Sequence, residues 1–312
     1  MNRPTSNSPT SLLATAFPRW ERMALPFSRD QAMLGVAAIN EFFLGLDIYL
    51  AHNLDGTIVP NEWIPILFGP LAGVALLVAG AIAQRRRQTA TVMATVVLLA
   101  SIVVGLLGAY FHFVRAILPT GPTGARVTID LLVWGPPLLG PLTFSLVGIL
   151  GISAAWREEP PNSGRLRLLH GVHLQLPYPK TQAYFFMVSM GTLATLLSSV
   201  LDHARASFEN PWLWMPVLIG VFGTVTAAAM GAIRKHRRGD VWTHIVAMLL
   251  LLMVGVVGLI LHVGENLTSE GAIVIERFLR GAPFLAPLLF ANMGLLGLVT
   301  LLDSRERPRE SR

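Results

Sequence analysis

Two imidazoles and a carboxylate recur in each half of this sequence. His52 returns 151 positions later as His203, His112 returns 150 later as His262, and Asp130 returns 146 later as Glu276. Imidazole nitrogen and carboxylate oxygen are suitable ligands for iron, zinc, copper or manganese, and two histidines with one acid leave positions open for water or substrate. Neutral imidazoles on facing helices are also axial ligands for a b-type haem, here between His52 and His112 and again between His203 and His262. A third reading needs no cofactor. A histidine at a helix end sits in the interfacial zone of a membrane, and one hydrogen bond to Asp130 or Glu276 satisfies it.

The elements that must position these groups are membrane helices. The chain of 312 residues is 53% hydrophobic and only 13% charged, against about 25% charged in soluble domains. A water-facing surface cannot be covered with so few charges. Crossing a ~30 Å hydrocarbon core takes about 20 apolar residues. Eight runs qualify, at roughly 31–52, 63–83, 90–114, 131–155, 182–203, 212–233, 242–263 and 281–302. None alternates polar and apolar as a barrel strand would, so all read as helices.

Basic residues set the expected orientation. Residues 1–30, Arg85 to Arg87, the 156–181 connection, the Arg234 to Arg238 cluster and the C-terminal tail hold 19 of the 24 Lys and Arg residues. The positive-inside rule puts these segments and both termini in the cytoplasm. Residues 1–30 read as a partly disordered cytoplasmic tail, 156–181 as a linker and 304–312 as a second tail. The net charge of +6 then belongs to loops facing anionic lipid, with no nucleic-acid partner implied. The absence of cysteine excludes disulfides, iron–sulfur clusters, thiolate metal sites and covalent haem attachment.

The linker divides two similar halves, 31–155 and 182–303. Trp63, Pro65, Leu67 and Gly69 recur as Trp214, Pro216, Leu218 and Gly220. Val104-Gly105 and Gly108 recur as Val254-Gly255 and Gly258, and Gly135, Pro137, Pro141 and Phe144 recur as Gly281, Pro283, Pro287 and Phe290. The expected fold is therefore all-α and polytopic: two tandem four-helix bundles in one orientation, a parallel repeat.

At about 100° per residue, Ser101, Gly105, Gly108 and His112 share one helix face, as do Gly255, Gly258 and His262. Small residues allow close helix approach, so these histidines are expected to face neighbours and not lipid. Glu41 shares a face with Gly45, Ile48 and His52, some ~16 Å deeper, where a carboxylate must face the bundle interior. Thr192 takes its place in the second half. Both Gly-x-Pro-x3-Pro elements should break or kink the outer part of the fourth helix. Trp63 and Trp214 read as interfacial anchors, and His170, His173, His236 and His244 as ordinary surface residues. The Asn266-Leu267-Thr268 sequon carries little weight, and there is no phosphate-binding glycine loop, nucleophile elbow or HExxH motif.

In general plan, tandem four-helix bundles with paired outer-face histidines resemble haem A synthase. This chain departs from that family in lacking an external cysteine pair and in ending its first helix with a histidine where the family begins one, so no residue roles carry over. The functional expectation is a metal or haem site at the extracytoplasmic face of each repeat, serving redox chemistry or electron transfer. The metal would be iron, copper or zinc, and the setting a prokaryotic inner membrane with a lipid-soluble substrate or other membrane subunits as partner. Cofactor-binding residues would be His52, His112, His203 and His262, with Asp130 and Glu276 completing metal sites. The alternatives are a non-enzymatic scaffold subunit, or a transporter that uses Glu41.

Overall fold

The computed structural model describes residues 11–19, 27–54, 56, 58–83, 85–117, 134–137, 139–168, 171–205 and 207–302. Ten α-helices are found among them: α1 (Leu12–Ala16), α2 (Arg29–Leu54), α3 (Trp63–Ile82), α4 (Arg87–Ile117), α5 (Leu139–Ala155), α6 (Lys180–Ala204), α7 (Trp214–Ala232), α8 (Arg238–Asn266), α9 (Ile275–Arg280) and α10 (Leu288–Val299). Six of them, α2, α3, α4, α6, α7 and α8, are long and apolar enough to cross a membrane. The chain is thus an all-α integral membrane protein. Its exposed faces agree: Leu67, Leu71, Val74 and Val78 line one side of α3, and Leu218, Val221, Phe222 and Val225 one side of α7, all large, apolar and uncovered.

Starts and stops follow local chemistry. At the start of α2, the Gln31 side chain accepts from the Ser28 N–H at 2.8 Å while Ser28 Oγ accepts from the Gln31 N–H, a capping box. The carboxylate of Asp240 accepts from the Arg237 N–H at 2.7 Å and starts α8. The expected fourth spans are shorter than anticipated. α5 has 17 residues and α10 has 12, about 25 and 18 Å, less than a full hydrocarbon core. The prolines explain it. Each helix begins only after Pro137 or Pro283, with Pro141 in the first turn of α5 and Pro287 capping α10.

Two of the segments outside the spans carry structure of their own. Leu12–Ala16 forms a helix packed on α8, with the Leu13 N–H donating to the Leu301 carbonyl at 3.1 Å and Ala16 buried in a cluster with Phe185, Met230 and Val241. The 156–181 connection carries short strands. Arg157–Glu158 (β1), Arg165–Arg167 (β2) and His173–Gln175 (β3) form a three-stranded antiparallel sheet in the order β1-β2-β3.

Packing arranges the long helices in rings. α2 packs on α3, α3 on α4, α4 on α5, and α5 back on α2; α6, α7, α8 and α10 close a second ring in the same sequence. In each ring the two helices that carry the paired histidines stand diagonally across from each other. Between the rings, α5 packs on α6 and α10 on α2. The largest buried cluster spans both, joining Met33 and Leu150 to Tyr184, Met248 and Phe290.

Close contacts repeat at matched positions. A Cβ on Gly105 would lie 2.6 Å from the Ser145 nitrogen, and a Cβ on Gly255 would lie 2.5 Å from the Ala291 nitrogen. Only glycine permits α4 to meet α5, and α8 to meet α10, at that spacing.

Candidate functional site: paired imidazoles at the ring ends

His52 occupies the last turn of α2, and its Nδ1 lies 2.9 Å from the Ile48 carbonyl one turn back. His112, near the end of α4, places Nδ1 2.9 Å from the Pro137 carbonyl. That carbonyl is available because the chain before α5 is irregular. A carbonyl only accepts, so both Nδ1 atoms carry the hydrogen, and both Nε2 atoms present a lone pair when the rings are neutral. The two rings meet edge-on, with centroids 5.9 Å apart at 61°.

Glu62 completes the neighbourhood. Its Oε1 lies 3.8 Å from His52 Nε2 and 3.6 Å from an Arg115 guanidinium nitrogen, while its Oε2 accepts from the Val59 N–H at 3.0 Å. Sequence reasoning missed Glu62 because its second-half counterpart is Leu213, so a search for polar residues shared by both halves discards it. Asp130, the expected first-half acid, lies outside the described residues.

The second ring repeats part of this. His262 Nδ1 lies 3.0 Å from the Pro283 carbonyl, the counterpart of the His112–Pro137 contact. His203, in the last turn of α6, lies within electrostatic range of His262 and Asp202. The ring of Phe208 packs edge-on against His203 at 6.2 Å and stacks on Trp214 at 4.7 Å. Glu276 stands apart. It is 71% exposed, and its Oε1 lies 3.5 Å from Arg280 Nη1. With Glu265, Asn266 and Arg277 it lines a surface cavity of 510 Å³. Among the described residues, no three of His, Asp and Glu gather in a group able to hold a metal ion. The set His203, His262 and Glu276 is therefore not assembled as three ligands.

The remaining histidines differ from one another. His173 is exposed, and His170 lies outside the described residues. His236 Nε2 lies 2.9 Å from the Met230 carbonyl. His244 is not a surface residue. It is fully buried, with Nε2 3.0 Å from the Gly297 carbonyl and its ring edge-on to Phe185. The glycine lets α10 approach closely enough to supply an acceptor to Nε2, while Nδ1 is buried without a partner among the described residues. Asn266 is also buried, its amide bridging the Ala282 N–H and carbonyl at 2.8 Å each, so the sequon's asparagine is engaged within the fold.

A charged cluster at the opposite end of the rings was also missed. The Lys180 ammonium, fully buried, meets the Asp30 carboxylate and donates to the Trp156 carbonyl at 2.8 Å. Tyr184 donates to Asp30 at 3.1 Å, and Arg29 donates to Thr181 Oγ1 at 2.6 Å. Arg29 and Lys180 are matched cations 151 positions apart. That recurrence was a usable signal, but both looked like ordinary basic residues flanking spans. Compared with known proteins, the chain matches no family, no curated protein and no solved structure.

Proposed function

We propose that this chain is an integral membrane redox protein that binds b-type haem between paired imidazoles, His52 with His112 and His203 with His262. The observation that carries this reading is the approach of His52 and His112, ring centroids 5.9 Å apart, each with Nδ1 held on a carbonyl. Metal-ligating histidines characteristically donate their other N–H to such a carbonyl, which fixes the tautomer and the ring direction. His52 and His112 would hold the haem iron through their Nε2 atoms, and the haem would supply one-electron chemistry. Haem asks the protein for two ligands, whereas an iron, copper or zinc ion held by protein alone usually asks for three or more. The His52–His112 pair presents two. These residues would set the ligation and orientation of the haem.

In the full proposal, α5 and α10 count as shortened seventh and eighth crossings beside the six long helices, and the two rings are a parallel duplication. The sheet end and both termini face the cytoplasm, and the imidazoles face the extracytoplasmic side of a prokaryotic inner membrane, where a lipid-soluble partner exchanges electrons.

An absorption spectrum of detergent-purified protein, with iron and haem quantified, tests this. The expected result is a Soret band with sharp α and β bands on reduction. Haem content should fall from two per chain to one in His112→Ala and to none when His262→Ala is added. A featureless spectrum from cells supplied with haem precursor would sink the reading and leave a scaffold subunit as the better one.

A further inference from the structure

Glu41 lies in the middle of α2, about 16 Å from His52 along the helix, and is fully buried. Its Oε1 lies within hydrogen-bond distance of Ser101 Oγ, and the same hydroxyl oxygen lies 2.8 Å from the Phe144 carbonyl. A serine hydroxyl has one hydrogen to donate. Were Glu41 ionised, both neighbours of that oxygen would be acceptors and one contact would lack a hydrogen. Both are satisfied when Glu41 is a neutral acid that donates to Ser101, which in turn donates to Phe144.

The surroundings support the neutral form. α3 brings Gly69 against the backbone of Glu41, α4 brings Ser101 and α5 brings Phe144. Among the described residues no Lys, Arg or His forms an ion pair with Glu41. Its Oε2 is buried with no hydrogen-bond partner. A carboxylate there would be a solitary charge at membrane depth, which is costly.

The second ring serves as an internal control. Thr192 stands where Glu41 does, fully buried, and satisfies its own hydroxyl on the Val188 carbonyl at 2.7 Å. Leu251 stands where Ser101 does and is also fully buried. Both members of the pair are exchanged together, so this place in a ring packs without any ionisable group. We infer that Glu41 is a proton-binding site of the first ring: a neutral, hydrogen-bonded carboxylic acid with no counterpart in the second ring.

Infrared difference spectroscopy of the full chain tests this whether or not haem is bound. Wild type minus Glu41→Gln at neutral pH should show a carboxylic-acid carbonyl band. The band should move to higher frequency in Ser101→Ala, which removes the hydrogen-bond acceptor. The double variant Glu41→Thr with Ser101→Leu, which copies the second ring, should fold and melt as wild type does but lack the band. Absence of the acid band in wild type would overturn the proposal. So would a double variant that cannot fold, since that makes the pair structural.

Discussion

Arg29 and Lys180 begin the first long helix of each ring, and each bonds the residue that follows the other. Arg29 donates to Thr181, and Lys180 to Asp30. Two cations 151 positions apart thus contact each other's neighbours reciprocally. The exchange is not perfect, because Asp30 is charged and Thr181 is not. Asp30 therefore anchors the cluster, taking bonds from Lys180, Tyr184 and Arg29.

Removing that anchor should be costly. Asp30→Asn leaves a fully buried ammonium without its counter-charge, and breaking such a pair typically costs roughly 3–5 kcal/mol. Tyr184→Phe deletes one bond to a charged acceptor and should cost about 1.5–3 kcal/mol. Denaturation in detergent should rank Asp30→Asn below Tyr184→Phe, with Lys180→Met partly rescuing Asp30→Asn. If Asp30→Asn melts as wild type does, the cluster does not hold the rings together.

The glycine contacts make a paired test. Gly105→Ala and Gly255→Ala place a methyl about 2.5 Å from backbone nitrogen, which cannot rotate aside, so α5 or α10 must move. Overpacking of this kind costs about 1–3 kcal/mol. Gly80→Ala and Gly264→Ala meet nothing within 4 Å and should leave the melting point unchanged. Equal melting of all four variants would mean that these helix pairs are not held at the observed spacing.

Topology can be read by labelling, because the chain has no cysteine to remove. Gln175→Cys, on β3, should resist a membrane-impermeant maleimide in intact cells and react after lysis. Glu270→Cys, between α8 and α9, should react in intact cells. Reporter fusions after residues 87 and 238 should likewise read cytoplasmic. The reverse pattern would invert the orientation and place the imidazole pairs inside.

Asn266 closes the turn before α10 from within. Asn266→Ala leaves the Ala282 N–H and carbonyl without their side-chain partner, and an unsatisfied buried group costs about 1–3 kcal/mol. The loss should appear as faster hydrogen exchange near residue 282, while the first ring stays unaffected. Unchanged exchange there would mean that the amide does not hold the turn.

Helix class, membrane residence and the internal recurrence were legible in the chain itself, since each depends on local composition: long apolar runs must satisfy their backbone internally, and helices do so. The prolines at 137 and 283 were legible as breaks for the same reason. What the tertiary structure alone decided is which side chains meet. That α2 and α4 stand diagonally, and so bring His52 to His112, depends on ring closure by α5, a relation between helices up to about 100 residues apart. Glu62 joined that pair only when the turn before α3 folded back, and Glu276 left its expected group by turning to Arg280. The acid at 41 was visible as an anomaly, but its hydrogen count became readable only when Ser101 and the Phe144 carbonyl arrived from two other helices. Hydrogen bonds and ligation act over a few ångströms, and periodicity along one helix cannot say which other helix will supply the partner.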